Sequence, residues 1–168
     1  MKPERQQDPM DAKAEGRLVV DIARLARDGE RISGEIPAEA LGFDPEDILF
    51  QPASPLRYDL FVQLLGGELL VRGSAAEDFN CLCVRCARKF RWTAEEPEVS
   101  FSLEVGGESF ADLTEELRQD IILLFPSNPV CSEDCKGLCL RCGANLNEGP
   151  CSCKPAGDSR WGGLDGLV

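Results

Sequence analysis

The stretch Cys131–Cys153 reads CSEDCKGLCLRCGANLNEGPCSC and holds six of the nine cysteines in the chain. Within it, Cys139-Leu-Arg-Cys142-Gly is a C-x2-C followed by glycine. In such a turn two thiolates and the nearby backbone N–H groups surround one metal ion. Cys151-Ser-Cys153 supplies a second pair further on, and Cys131 with Cys135 supplies another just before the turn. Zinc prefers four thiolates in a tetrahedron, and short-spaced pairs brought together by a loop meet that preference.

Working outward, a fourth pair lies far upstream in Cys83-Val-Arg-Cys86, with Cys81 just before it. Four pairs make eight thiols, enough for two four-thiolate zinc sites. The upstream pair cannot complete a site locally and needs partners from the late cluster. We assign 83/86 to 131/135, and 139/142 to 151/153, although six clustered cysteines permit other choices of four. Two other uses of these thiols compete. A disulfide framework fits poorly with an odd count and with the polar, signal-free stretch 1–17. A redox C-x-x-C lacks a surrounding βαβ pattern. Cys81 reads as a buried or half-exposed thiol.

Composition sets the remaining bounds. At 168 residues and 43% hydrophobic content the chain has enough material for one core. No apolar run approaches the roughly 20 residues that cross a bilayer, and we expect a cytoplasmic protein in a reducing compartment. Net charge is −12, from 18 basic and 30 acidic residues, which argues against broad binding to nucleic-acid phosphates. Arg85, Arg88, Lys89 and Arg91 form a local exception around the upstream knuckle. They are either a solvated strand face or a candidate contact for RNA or an acidic protein. Histidine is absent, which removes histidine triads, H-E-x-x-H metalloproteases and histidine zinc ligands. No nucleophile elbow, phosphate-cradling glycine loop or deaminase signature appears. A non-enzyme is the expectation.

Segments 1–17, 18–126 and 127–168 read as a disordered lead, an α+β core and a cysteine-rich zinc-binding tail. Leu18–Ile22 and the Ile32–Ile36 stretch are short strand candidates, with a helical turn over 23–26. Residues 42–55, with three prolines, read as a loop. Tyr58, Leu60, Val62 and Leu64 alternate with Arg57, Asp59, Phe61 and Gln63, a period of two that buries one face. Gly66-Gly67 reads as a hairpin turn, and the return strand runs toward Phe79. The knuckle at 83–86 reverses the chain. Phe90, Trp92 and Ala94, then Val99, Phe101, Leu103 and Val105, continue the pattern. These strands predict an antiparallel meander, twisted or partly closed into a barrel. Asp112 reads as a helix N-cap with Glu115 three residues on. Leu113, Leu117, Ile121 and Leu124 recur at helical spacing, and Pro126 stops the run. That helix is expected to cover the meander's apolar face.

Asp112-Leu-Thr-Glu-Glu-Leu117, Ile122-Leu-Leu-Phe-Pro126, Cys131-Ser-Glu-Asp-Cys-Lys-Gly-Leu-Cys139 and Cys142-Gly-Ala-Asn-Leu-Asn-Glu-Gly-Pro-Cys-Ser-Cys153 together resemble the bacterial YceD family. The upstream Cys83-Val-Arg-Cys86 fits the same resemblance, which spans about residues 18–168. Asp158-Ser-Arg160 and Leu164 are similar to the family's Asp-Pro-Arg-Leu ending, with Ser159 and Trp161 replacing Pro and Leu. The resemblance implies a role in accumulation or processing of 23S ribosomal RNA and in making the large subunit. It implies no enzymatic activity. Because −12 is unusual for a chain gripping RNA alone, the expected partner is an assembly intermediate or a processing protein, with direct RNA contact confined to residues 85–91. The residues leave two other readings open: a zinc-ribbon regulator of transcription or translation, and a thiol redox protein using Cys83 and Cys86.

Overall fold

The computed structural model describes residues 16–44 and 46–153. The expectations for a disordered lead up to residue 15 and for contacts of the tail from 154 onward lie outside the described residues.

Strand β5 (Glu68–Leu82) is the spine of the molecule. Its inward positions Leu69, Val71, Ala75, Glu77, Phe79 and Cys81 are buried, while the residues between them are partly or fully exposed. β4 (Leu56–Leu65) precedes it through the Gly66-Gly67 turn, where both glycines take positive φ of 61° and 95°. β6 (Lys89–Glu104) follows it through the knuckle and pairs along its whole length, from Glu68↔Glu104 to Leu82↔Lys89. β2 (Glu30–Ile36) lies outside β4. β3 (Phe50–Pro52) pairs with residues 79–81 of β5, in line beyond β4 on the edge opposite β6. The proline-rich stretch expected as loop therefore contains a strand, too short for its alternation to be visible beside Pro52 and Pro55.

The sheet is open rather than barrel-like. β2 pairs only with β4, and β6 only with β5, among the described residues. Closure needs the two edges to meet, and instead a second, two-stranded sheet forms apart from them. β1 (Val19–Asp21) pairs antiparallel with β7 (Phe110–Asp112), a contact between segments about 90 residues apart that no local pattern reveals. Pro97 sits on the outer strand β6, where a missing N–H is tolerated. Beside it the β5–β6 register shifts between Gly73 and Ala75.

Helix α1 (Thr114–Leu123) closes the core from one side and buries Thr114, Leu117 and Ile121. Its N-cap is Leu113, with no side-chain cap, and not Asp112 as the sequence pattern suggests. The Asp112 carboxylate still accepts the Thr114 N–H at 2.9 Å, one position earlier than a capping box requires. The Thr114 hydroxyl in turn accepts from the Leu18 N–H at 2.9 Å, which ties α1 to the residue that leads into β1. The helix ends at Leu123, three residues before Pro126. Phe125 then turns inward. Its ring stacks on Phe50 at 4.3 Å between centroids and meets Phe79 edge-on at 4.9 Å. Trp92 and Phe43 complete this aromatic cluster. Such pairs contribute about 1 kcal/mol each beyond area burial. The cluster fixes the direction in which the chain leaves the core toward Cys131.

Candidate metal centre

The knuckle between β5 and β6 is built by backbone hydrogen bonds before any metal is considered. The Cys83 N–H donates to the Arg88 carbonyl at 2.9 Å, and the Ala87 N–H donates to the Cys83 carbonyl at 2.9 Å. Ala87 adopts φ 54°, the left-handed conformation that completes the turn. The late segment docks against this turn. The Val84 N–H donates to the Pro129 carbonyl at 2.9 Å and the Leu138 N–H to the Arg85 carbonyl at 3.1 Å. Gly137, at φ 74°, lies so close that a Cβ there would sit 3.0 Å from the Arg85 oxygen. Arg85 itself donates from one guanidinium nitrogen to the carbonyls of Glu133 and Cys135, at 3.1 and 3.2 Å.

These contacts bring Cys83, Cys86, Cys131 and Cys135 together, with all four Sγ atoms within 4.8 Å of one another. Cys83 Sγ lies 3.8 Å from Cys135 Sγ, and Cys86 Sγ lies 3.7 Å from Cys131 Sγ. A disulfide holds sulfurs at about 2.0 Å, whereas the edge of a tetrahedron with metal–sulfur bonds of about 2.3 Å is about 3.8 Å. The spacing is that of a four-thiolate metal cage. Cys139, Cys142, Cys151 and Cys153 form a second group, also within 4.8 Å. There the Cys139 N–H donates to the Ala144 carbonyl, and the Gly143 N–H to the Cys139 carbonyl, each at 2.8 Å. The structure thus groups the eight thiols as 83/86 with 131/135 and 139/142 with 151/153, resolving the pairing left open by spacing. Cys81, the ninth, is buried in the main core with Phe79 and points to neither cluster.

The two groups differ in environment. Cys83, Cys86 and Cys135 are buried, while Cys142 is exposed and its three companions are half-exposed. Burial pushes the Cys83 thiol up, but N–H groups of Cys131, Cys86 and Arg85 outweigh it and bring the thiol down to about 6. The N–H groups of Arg141 and Cys142 do the same for Cys139, also to about 6. The Asn147 amide is the main cause lowering Cys135. At Cys153 the neighbouring Cys142 thiol and partial burial act the other way, to about 12. Four thiols this close cannot all ionise without a cation between them, because like charges oppose each other. The donor set therefore fits a soft divalent metal. Any of the four-sulfur tetrahedral ions, zinc first among them, matches it.

The basic residues singled out around the knuckle separate into two kinds. Arg85, though exposed, lays its guanidinium on the late segment and clamps two of its carbonyls. Arg88 lies beside the Cys131 sulfur, whose hydrogen bond raises the Arg88 pKa further. Arg91 pairs with Asp78 at 3.1 Å on the solvated face of the sheet, where Thr93 also donates to Asp78. Lys89 is exposed at the start of β6. The four residues thus surround the knuckle without making one continuous patch.

Sequence reasoning did not find Asn147. Its Nδ2 lies 3.4 Å from Cys135 Sγ, reaching from the loop of the second group to a ligand of the first. An asparagine in a glycine-rich loop carries no signal of such a contact.

An open antiparallel sheet backed by one helix, with two four-cysteine clusters at one end, defines an α+β module able to hold two metal ions. The chain's second part, residues 93–168, matches the family model described as "Large ribosomal RNA subunit accumulation protein YceD". Two chloroplastic plant proteins are similar to it, both named large ribosomal RNA subunit accumulation protein YCED homolog 1. The maize protein is 49% identical over 45 residues, 26% of this chain and 15% of its own. The Arabidopsis thaliana protein is 34% identical over 77 residues, 45% of this chain and 23% of its own. An uncharacterized Mycobacterium bovis protein is 30% identical over 173 aligned positions, covering 88% of this chain and 79% of its own. No solved structure matches the chain. The chain belongs to the YceD family, whose name implies a role in accumulation of large-subunit ribosomal RNA. The match spans less than a quarter of the length of either plant relative.

Proposed function

We propose that this protein is a non-enzymatic, zinc-loaded factor that supports 23S ribosomal RNA accumulation and processing and large-subunit assembly in the cytoplasm. The observation carrying this reading is the family match over residues 93–168, which takes in α1 and every cysteine of the late segment. The two cages, with sulfur spacings of 3.7 and 3.8 Å in the first, support zinc as the structural cofactor. Two ions would then be bound through Cys83, Cys86, Cys131, Cys135 and through Cys139, Cys142, Cys151, Cys153. The organisation we favour is a core over 18–126, and a cysteine-rich metal-binding segment with its tail over 127–168, the cysteines meeting the core at the 83–86 knuckle.

The partner is an assembly intermediate or an RNA-processing protein rather than naked RNA. A chain of net charge −12 gains little from phosphates except locally. Arg85, Arg88, Lys89 and Arg91 remain the candidate contact, with Lys89 and Arg91 the two that face solvent on the sheet. A redox role for Cys83 and Cys86 fits less well, because each of these sulfurs has its near neighbour in the late segment. No helix among the described residues is long and apolar enough to cross a membrane.

Depletion of the protein, followed by measurement of 23S against 16S RNA and of large-subunit precursors in a gradient, tests the reading. Loss of 23S with accumulation of precursors is expected, and the protein should sediment with those precursors. Unchanged 23S would overturn it, and copurification with RNA polymerase instead would favour a zinc-ribbon transcriptional regulator.

A further inference from the structure

The two cysteine groups meet through one side chain. Asn147 sits in the loop between Cys142 and Cys151, the loop that the second group closes. Its Nδ2 donates to Cys135 Sγ of the first group at 3.4 Å. Its Oδ1 accepts the N–H of Lys136, the residue after Cys135, at 2.8 Å. The second Nδ2 hydrogen goes to Asn145 Oδ1 at 2.8 Å, and that same oxygen accepts the Asn147 N–H at 3.1 Å. Asn145 is held in turn through its own Nδ2, which donates to Glu148 Oε1 at 2.9 Å. Every donor and acceptor of the Asn147 amide is used. The reversed amide would aim an oxygen lone pair at a thiolate, so the network fixes which end faces sulfur.

The loop carrying Asn147 has little else to order it. Residues 141–150 bury no side chain, and a short exposed loop without apolar anchors stays put only through its hydrogen bonds and covalent or metal closure. Those bonds run to the segment between the two groups. The Leu146 N–H donates to the Gly137 carbonyl at 2.9 Å, the Cys139 N–H donates to the Ala144 carbonyl at 2.8 Å, and Leu138 bridges Asn145. A metal held by Cys139, Cys142, Cys151 and Cys153 would close the loop and so hold the Asn147 amide against Cys135.

We propose that Asn147 is a positioning residue that couples the two metal sites, so that filling the exposed site raises the affinity of the buried one. This rests on the two-metal reading above. A hydrogen-bond donor aimed at a ligating sulfur offsets part of its charge and fixes its direction, and outer-shell groups of this kind typically change metal affinity about 10- to 100-fold when lost. By linkage the coupling is mutual: the buried site, once filled, favours the ordered loop and hence the exposed site.

The test uses the full chain and cobalt(II) as a zinc substitute, with binding measured by competition and by thiolate-to-cobalt absorption. Asn147→Asp keeps the acceptor for the Lys136 N–H but loses the donor to sulfur, and Asn147→Ala removes the donor without adding charge. Both should lower the affinity of the Cys83/Cys86/Cys131/Cys135 site about 10- to 100-fold and shift its charge-transfer band. Cys142→Ser, which disables the exposed site, should lower it by a similar factor. Combining Cys142→Ser with Asn147→Ala should add almost nothing, because both remove the same contact. An unshifted band with unchanged affinity in both Asn147 variants overturns the coupling, and so do losses that multiply in the double variant. A wild-type chain that binds fewer than two cobalt ions fails differently, since it removes the two-site reading and this inference with it.

Discussion

Cys83 and Cys135 stand 52 residues apart in sequence, yet their Sγ atoms lie 3.8 Å apart. Cys83 begins the turn of the β5–β6 hairpin and Cys135 lies in the late segment, so this one relationship joins the sheet to the cysteine-rich segment. The two clusters should consequently differ in what they hold together. Cys83→Ser removes a ligand from the buried site and frees both the β5–β6 turn and the docking of residues 129–138. Cys142→Ser removes a ligand from the exposed site and reaches the buried one only through Asn147, leaving the β5–β6 turn and its docking in place. We expect each variant to retain one zinc equivalent, with the midpoint of thermal unfolding lowered more by Cys83→Ser. Structural four-thiolate zinc supplies on the order of 10 kcal/mol of apparent binding free energy, part of which is folding free energy. Equal loss of β signal in both variants by circular dichroism would contradict this division of labour.

A second prediction concerns Gly73 of β5. A Cβ on Gly73 would fall 2.1 Å from the Asp59 carbonyl oxygen and 2.8 Å from the Leu60 Cα. These are backbone atoms of the paired strand β4, so neither can swing aside. Gly73→Ala should force β4 and β5 apart where the β5–β6 register also shifts, at a cost on the order of 2 kcal/mol or more. Chemical denaturation should show a lower midpoint. A midpoint unchanged from wild type would mean that the strands approach less closely in solution.

Glu77 provides a pH dependence. It lies fully buried on the core face of β5 between Ala75 and Phe79, opposite Ala94, and neither carboxylate oxygen has a hydrogen-bond partner. Burial, with the neighbouring charge of Asp78, raises its pKa from 4.5 to about 8. Between those values the folded chain keeps a proton that the unfolded chain has released. Stability therefore falls as pH rises through that window and levels off above it. Relaxation and water penetration reduce the effect to on the order of 2 kcal/mol. Glu77→Gln should flatten the decline between pH 6 and pH 9 and stabilise the chain at the upper end. Thermal melts of both proteins across that range decide it, and parallel curves would show that Glu77 is ionised in the fold at neutral pH.

Strand alternation made the long hairpins legible. Leu60 and Val62, then Leu69 and Val71, then Val99 read inward from period alone, and all are buried. What the sequence withheld is what depends on distant partners. The β1–β7 pairing, the β3 strand among prolines and the failure of the sheet to close are set by which edges meet, and no local pattern encodes that. Glu77 occupies an apolar phase of β5 as a carboxylate, so a pattern reader places it there only by trusting the period over the chemistry. The cysteine pairs were legible as ligands because spacing encodes a knuckle. Their grouping, and the roles of Asn147 and Arg85, required the docking of the late segment onto the turn.

The basic residues near the knuckle yield the last prediction. Replacing all four at once would confuse two effects, because Arg85 holds the Glu133 and Cys135 carbonyls and Arg88 lies beside Cys131. Lys89 and Arg91 project from the solvated face of β6, and Arg91 spends part of its charge on Asp78. Lys89→Glu with Arg91→Glu should therefore leave metal content and melting midpoint nearly unchanged, since exposed ion pairs contribute at most about 1 kcal/mol. If this face meets RNA, the double variant should lose association with large-subunit precursors, and the wild-type association should weaken steeply with salt. Arg85→Ala should behave in the opposite way, weakening metal retention at the buried site through the lost clamp on the Cys135 carbonyl. A gradient run at two salt concentrations, with zinc measured in the same fractions, separates the two. If the double variant comigrates with precursors as the wild type does, at the same salt sensitivity, the contact lies elsewhere. A basic protein meeting the acidic surface of the chain then becomes the better partner.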